Sequence, residues 1–387
     1  MYVEVFVIKS FTVKGYKKLN HFMLSDLSRI NLITGETDLG KSCILESLYA
    51  FCCGNDVNML IRGASYRISR YDLDALDSSY SDMLYMLYSF FNRERMPLTM
   101  SFGATYDDDN KTREFKHTVV FTDLIKEISD FDTDQDELQQ FLDTYNKTLE
   151  TDITDGRFKR NLAFDPVLAH WTIEDSNADI CSYPITRFNT DTSNATHPVA
   201  VSYIDILQHT FLIPFVDLIK SLQKKDLLDT VVADLKVIFP NLDTIKLIKM
   251  PDGKIYPFVI DVNGEVRPIF SFGECLQRCF YILGSVFAYP DGLLLLNDAD
   301  YGIDFRVQQG FFNLLFKYAR KNNTQIFMVS NNQSFMDHLI LSSQEDSALE
   351  ELRVITIKNL NNNILCHRIL SGSDAYKARF GLEMDLR

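Results

Sequence analysis

Eight consecutive residues constrain this chain more than any other feature. Gly35-Glu36-Thr37-Asp38-Leu39-Gly40-Lys41-Ser42 fits G-x-x-x-x-G-K-[ST] without a gap. Before it runs RINLIT, β-branched and apolar, a predicted strand. After it, Ile44, Leu45, Leu48 and Phe51 recur at intervals of three and four, the period of an amphipathic helix. A strand, a glycine turn and a helix in that order fold around phosphate. The glycines let backbone N–H groups curl round an anion, and the helix N-terminus adds its partial positive charge. Lys41 then reaches β and γ oxygens, and Ser42 offers its hydroxyl to Mg²⁺. Asp38 is the odd member, because polyphosphate repels a carboxylate unless it points outward.

The remaining pattern favours an α/β core. VEVFVIKSFTV near the start reads as a strand, 97–106 and 113–122 read as a paired ribbon extending its sheet, and 79–91 reads as an aromatic-rich helix. TIKLIKM, YPFVIDV, TQIFMVS and RVITIKN are further strands, and the tetraleucine run before Asn297 is too apolar to face water on either side. From about Leu124 to Asn194 the composition turns acidic and polar, which reads as an inserted, mainly helical region. The expected division is 1–123 as an N-terminal lobe, 124–240 as the insertion and 241–387 as a C-terminal lobe. With 387 residues there is length for a large core, and no apolar run is long enough to span a membrane. The N-terminus lacks the pattern of a signal peptide, so the expected location is cytoplasmic. A formal charge of −14 argues against a surface that coats nucleic acid throughout, while small basic clusters remain at Lys17-Lys18, at Arg93 with Arg95, and at Arg157 with Lys159-Arg160.

RINLITGETDLGKSCILESLYAF resembles the start of ABC-type ATPases of the AAA15 family, relatives of the OLD (overcoming lysogenisation defect) and SMC-like ATPases. RYDLDALDSSYSDMLYMLYSFF is similar to that family's segment after the first helix. VNGEVRPIFSFGECLQRCFYILGSVFAYPDGLLLLNDADYGIDF resembles its signature helix running into Walker B. The resemblance implies an ABC-type P-loop NTPase head binding ATP and Mg²⁺, with two subunits sharing two nucleotides. It places Ser271, Gly273 and Glu274 in the signature loop against the γ-phosphate held by a neighbouring subunit, and Tyr301-Gly302-Ile303-Asp304 in the loop where subunits meet. The plain alternative for Ser271 and Glu274 is a capping box at a helix start.

Departures from the family are as informative as the matches. The apolar strand ends in Asn297-Asp298 where members carry Asp-Glu, so Asn297 brings Mg²⁺ an acceptor oxygen without charge, and Asp298 is a methylene shorter than the residue that polarises water. Ser330-Asn331-Asn332 stands where members have Thr-His-Ser, and the amide of Asn331 can donate to phosphate but cannot relay a proton. An intact phosphate loop beside three altered catalytic positions fits retained binding with slow or absent hydrolysis.

The resemblance implies a sensor or scaffold in anti-phage defence, serving a separately encoded effector such as a nuclease or toxin, since the chain after RVITIKN leaves no room for the TOPRIM nuclease domain of OLD proteins. Two other readings stand beside it: an SMC-like clamp for DNA repair, against which the insertion lacks coiled-coil heptads, and an active hydrolase using Asp298. The seven histidines show no zinc-type spacing, and the seven cysteines read as reduced and mostly buried. Cys275 and Cys279 lie one helical turn apart and read as packing residues. Tyr16, in the turn after the first strand, is placed where a ring could stack on adenine.

Overall fold

The computed structural model describes residues 7–60, 90–91, 98–106, 112–121, 169–176, 180–185, 197–360 and 364–387. The expected helix over 79–91 lies outside these except for Phe90 and Phe91, as do the clusters at Arg93 and Arg157.

Two large sheets organise the chain. One is antiparallel, in the order β2-β1-β4-β5-β6-β7: β1 Ile8–Tyr16, β2 Leu19–Leu24, β4 Leu98–Tyr106, β5 Thr112–Phe121, β6 Ala169–Asp175 and β7 Cys181–Ile185. The other runs β15-β14-β3-β13-β12-β8: β3 Ile30–Gly35, β8 Val201–Ile204, β12 Leu293–Leu296, β13 Gln325–Val329, β14 Leu352–Leu360 and β15 Ile364–Ser371. All its pairings are parallel except β14 with β15. A small sheet of β9 Leu242–Lys249, β10 Ile255–Asp261 and β11 Val266–Pro268 stands apart.

Among the described residues the α-helices are α1 Lys41–Cys53, α2 Leu212–Lys224, α3 Leu228–Leu235, α4 Glu274–Ala288, α5 Phe305–Lys321, α6 Gln333–Glu345 and the short α7 Gly372–Tyr376. Among the described residues no helix is long and apolar enough to cross a membrane.

The tetraleucine run explains how the layers stack. Successive strand residues point to opposite faces. Leu293 and Leu295 accordingly join a core with α1 and the antiparallel sheet, while Leu294 and Leu296 join a second core with α2, α4, α5 and α6. Phe327 and Val329 of β13 follow the first pair, and Ile326 and Met328 the second. A strand covered on both faces must be apolar at every position, which is why its sequence loses alternation.

The three expected segments interleave. Strands β6, β7 and β8 fall within 124–240, two extending the antiparallel sheet and one edging the parallel sheet, so that stretch contributes strand as well as α2 and α3. Its part from 124 to 168 lies outside the described residues.

Candidate functional site

Glycine geometry builds the phosphate loop. Gly35 closes β3 at φ +132°, where a Cβ would lie 2.1 Å from the Ile357 carbonyl oxygen of β14, so the neighbouring strand admits no side chain. Asp38 and Gly40 also have positive φ, at +62° and +81°, and Gly40 caps α1. Glu36, Thr37 and Asp38 are exposed, while Leu39 is buried beneath them. Exposure meets the condition under which a carboxylate at 38 is tolerated, and Lys18 Nζ steadies the turn by donating to the Asp38 carbonyl at 3.3 Å.

Lys41, 8% exposed, turns into the loop and donates to the carbonyl oxygens of Gly35, at 2.7 Å, and Glu36. Burial pulls its pKa below the ordinary lysine value, opposed by the carboxylates of Asp298, Asp38 and Glu36.

Ser42 links the loop to the Walker B position, its Oγ donating to Asn297 Oδ1 at 2.9 Å. Asn297 is 1% exposed, and its amide donates to Asp205 Oδ1 at 3.0 Å and Asp298 Oδ2 at 3.2 Å. The side chain therefore stands between one hydroxyl and two carboxylates, with both amide hydrogens used. Asp298 adopts a left-handed φ of +45°. Between these two strand ends, at the end of β13, Asn331 Oδ1 accepts from Thr34 Oγ1 of β3 at 3.5 Å. Ser330 Oγ donates to Asp300 Oδ1 at 2.6 Å, tying the end of β13 to the turn after β12.

Sequence reasoning missed two groups here. Asp205 follows β8, the strand beside β12. Arg278, buried in the second turn of α4, donates to the carbonyls of Asp205 at 2.6 Å, Ile206 at 3.3 Å, Asn297 at 3.3 Å and Asp298 at 3.4 Å, and so fastens both strand ends to one helix. The available signal was a lone cation in an otherwise largely apolar helix, ECLQRCFYILGSVFA.

The signature residues gather elsewhere. Ser271 Oγ donates to the Pro268 carbonyl at 2.7 Å and Gly273 caps α4 with no side-chain bond, so the capping box of Ser271 and Glu274 does not form. Glu274 Oε1 stands 3.2 Å from Nε2 of buried His209, whose pKa burial and then Arg278 pull down to about 4, leaving the ring neutral at physiological pH. Among the described residues no hydrogen bond joins Ser271, Gly273 or Glu274 to residues 35–42 of the loop. A Cβ on Gly273 would meet nothing within 4 Å, so the backbone there is open to approach. In the Tyr301–Asp304 loop, Ile303 is buried, Tyr301 is exposed and Asp304 caps α5 through Arg306 N.

One expectation is corrected. Tyr16 is 2% exposed, packed edge-on to Phe102 with its hydroxyl 3.4 Å from Glu46 Oε2, so its ring is unavailable to a base. Lys17, of the Lys17-Lys18 cluster, pairs with the same carboxylate, its Nζ 2.6 Å from Glu46 Oε2. Of the cysteines, Cys52, Cys53 and Cys279 are buried and the other four are half-buried. A hydrogen bond with Cys279 brings the Cys275 thiol down to about 7.

These residues suit a nucleoside triphosphate with a divalent cation. The glycine dihedrals form a backbone cradle, Lys41 is held by main-chain carbonyls, and Ser42, Asn297 and Asp205 supply the hard oxygen atoms that Mg²⁺ prefers. Among the described residues no cluster of His, Cys, Asp or Glu forms a metal cage by itself, and a nucleotide-bound Mg²⁺ needs none because phosphates and water fill most of its shell.

No family model matches the chain, and no curated protein matches it. Solved structures do. An SMC head bound to the C-terminal winged-helix domain of ScpA aligns over 96% of this chain and 99% of its own, with 13% identity and a TM-score of 0.50. An SMC head domain from Thermotoga maritima aligns over 94% and 99%, at 9% identity and a TM-score of 0.48. A head domain with an extended coiled coil from Pyrococcus furiosus, bound to the C-terminal domain of ScpA, aligns over 98% and 100%, at 11% and 0.46. With the phosphate loop, the parallel sheet and the layer order described above, the first of these gives the chain its fold class: an α/β fold of the ABC-type ATPase head, similar to that of the SMC head.

Proposed function

We propose that the chain is an ATP-binding ABC-type ATPase subunit of the AAA15/OLD kind, a sensor or scaffold that hands its nucleotide state to a separate effector, such as a nuclease or toxin, in anti-phage defence. The observation that carries this reading is the contrast within one site: a phosphate loop with every backbone and side-chain element in place, and catalytic strand ends whose polar groups are bonded to one another. The carboxylate of Asp298 accepts from Asn297, and Asn331 is an amide hydrogen-bonded by Thr34. Residues engaged in this way hold a site together, and the amide of Asn331 has no proton to relay.

Bound Mg²⁺ supplies compensation of phosphate charge. The chain's own residues do the rest: Lys41 and the loop amides bind, Ser42 with Asn297 orients, and Ser271 with Gly273 forms a surface for the nucleotide of a second copy. Nucleotide then favours a homodimer, and the effector reads the assembled state.

Calorimetry with purified protein tests the reading. Lys41→Ala is expected to lower ATP affinity at least a hundredfold, and the unaltered protein is expected to turn ATP over far below the ~10 per second of an average enzyme. Unchanged affinity in the variant removes the site. Brisk turnover that Asp298→Ala abolishes makes the chain a working hydrolase, and turnover raised by duplex DNA makes it a clamp.

A further inference from the structure

Asn297 stands where the resemblance sets an aspartate, and the missing negative charge lies one strand away. Leu296 of β12 pairs with Ile204 of β8, so positions 297 and 205 come next in the same parallel register. Their side chains meet at 3.0 Å. We infer that Asp205 supplies the carboxylate through which this site holds the divalent cation of its nucleotide, with Asn297 as the neutral bridge between Asp205 and Ser42. The inference rests on the nucleotide-binding reading and specifies it.

Four observations favour the exchange. Asp205 is oriented: its Oδ1 accepts both from Asn297 Nδ2 and from Ile206 N at 2.8 Å, which leaves Oδ2 as the acceptor for a hydrated cation. Its backbone is fixed, because Arg278 holds the Asp205 carbonyl with the same guanidinium that holds those of Asn297 and Asp298. The chain of contacts reaches the phosphate loop, since the oxygen of the Asn297 amide takes the Ser42 hydroxyl while its nitrogen faces Asp205.

The amide is also the residue this geometry requires. Asp205 and Asp298 both accept from its NH₂ group, and an aspartate at 297 would have no hydrogen for either and would set three carboxylates together. With a carboxylate at 205, asparagine at 297 keeps the number of charges that aspartate at 297 would give alone.

The experiment compares ATP affinity with Mg²⁺ and with EDTA, by calorimetry, in four proteins. The unaltered chain is expected to bind at least tenfold more tightly with Mg²⁺. Asp205→Asn is expected to lose most of that ratio while keeping its metal-free affinity. Combining Asp205→Asn with Asn297→Asp swaps the two side chains, conserves the charge and the hydrogen bond between 205 and 297 while giving up the one to Asp298, and is expected to restore the ratio to within threefold.

A ratio unchanged in Asp205→Asn overturns the inference, as does a swapped protein that melts like the parent without regaining the ratio, or a parent indifferent to Mg²⁺. If Asp205→Asn does not fold, the swapped protein decides alone by the same criterion. Lys41→Ala separates the two levels: if it binds ATP like the parent, the nucleotide site fails; if it does not, and Asp205→Asn keeps its ratio, only the role of Asp205 fails.

Discussion

The phosphate loop and the strand ends behind it are built from different material. In the loop the chemistry resides in backbone: positive φ at Gly35, Asp38 and Gly40, and a close pass of β14 behind Gly35. At the strand ends it resides in side chains that touch across paired strands, Asn297 with Asp205 and Asn331 with Thr34. Backbone chemistry stays where the dihedrals are, so a loop of this kind is either present as a unit or lost. Side-chain chemistry can move between neighbouring strands only ~4.8 Å apart without moving the fold. A substitution at one position of such a group is therefore interpretable only with its neighbours in view.

Breaking the backbone side of this contrast should have the largest effect. Gly35→Ala places a Cβ against the Ile357 carbonyl and keeps a φ that alanine disfavours, and a loss on the order of 4 kcal/mol is expected, with ATP affinity lost too. Gly40→Ala, whose Cβ has neighbours no closer than 3.9 Å, is expected to lose only about 1 kcal/mol. Urea unfolding of the two variants measures the difference; equal losses would show that backbone approach is not what fixes the loop.

Next is the signature face, where a Cβ on Gly273 meets no atom of its own subunit within 4 Å, which leaves room for Gly273→Asp. The variant is expected to fold and bind ATP like the parent while losing nucleotide-dependent self-association by light scattering, because the new carboxylate repels a partner's phosphates. Normal assembly would remove this face from the interface.

A last test probes, through pH, the packing of His209 against Glu274 of α4. His209 has its pKa lowered from 6.5 to about 4 in the fold, so the unfolded chain binds the extra proton between those values. Its contribution is complete above pH 6.5 and declines as pH falls toward 4, by up to roughly 3 kcal/mol. Buried His117, which accepts from Trp171 Nε1 and is lowered to about 3, shares this window, so the comparison needed is with His209→Gln. The parent is expected to lose more stability than that variant between pH 7 and pH 4.5. Parallel losses would mean that His209 is protonated without cost beside Glu274.

What the sequence made legible was contiguous or periodic. The loop, the helix after it, the ribbon of β4 and β5 and the buried tetraleucine strand each carry their pattern within one short contiguous stretch. What it hid depends on strand pairing. Asp205 and Asn297 are 92 residues apart, and only the β8–β12 register makes them neighbours. Tyr16 misled because a turn position suggests exposure, whereas the hairpin folds its ring against Phe102. Ser271 and Glu274 have capping-box spacing, yet the helix starts at Glu274 and leaves Ser271 outside it.

The alternating leucines of β12 also bear on how the molecule comes apart. Each central strand lends every second residue to the core under the antiparallel sheet and the others to the core under the helices. Neither half can melt while the other stays native, because its departure would strip one face of the shared sheet and expose leucine, phenylalanine and isoleucine to water. The two cores are thus expected to melt together, and a ligand gripping the loop at the end of central β3 to steady both at once.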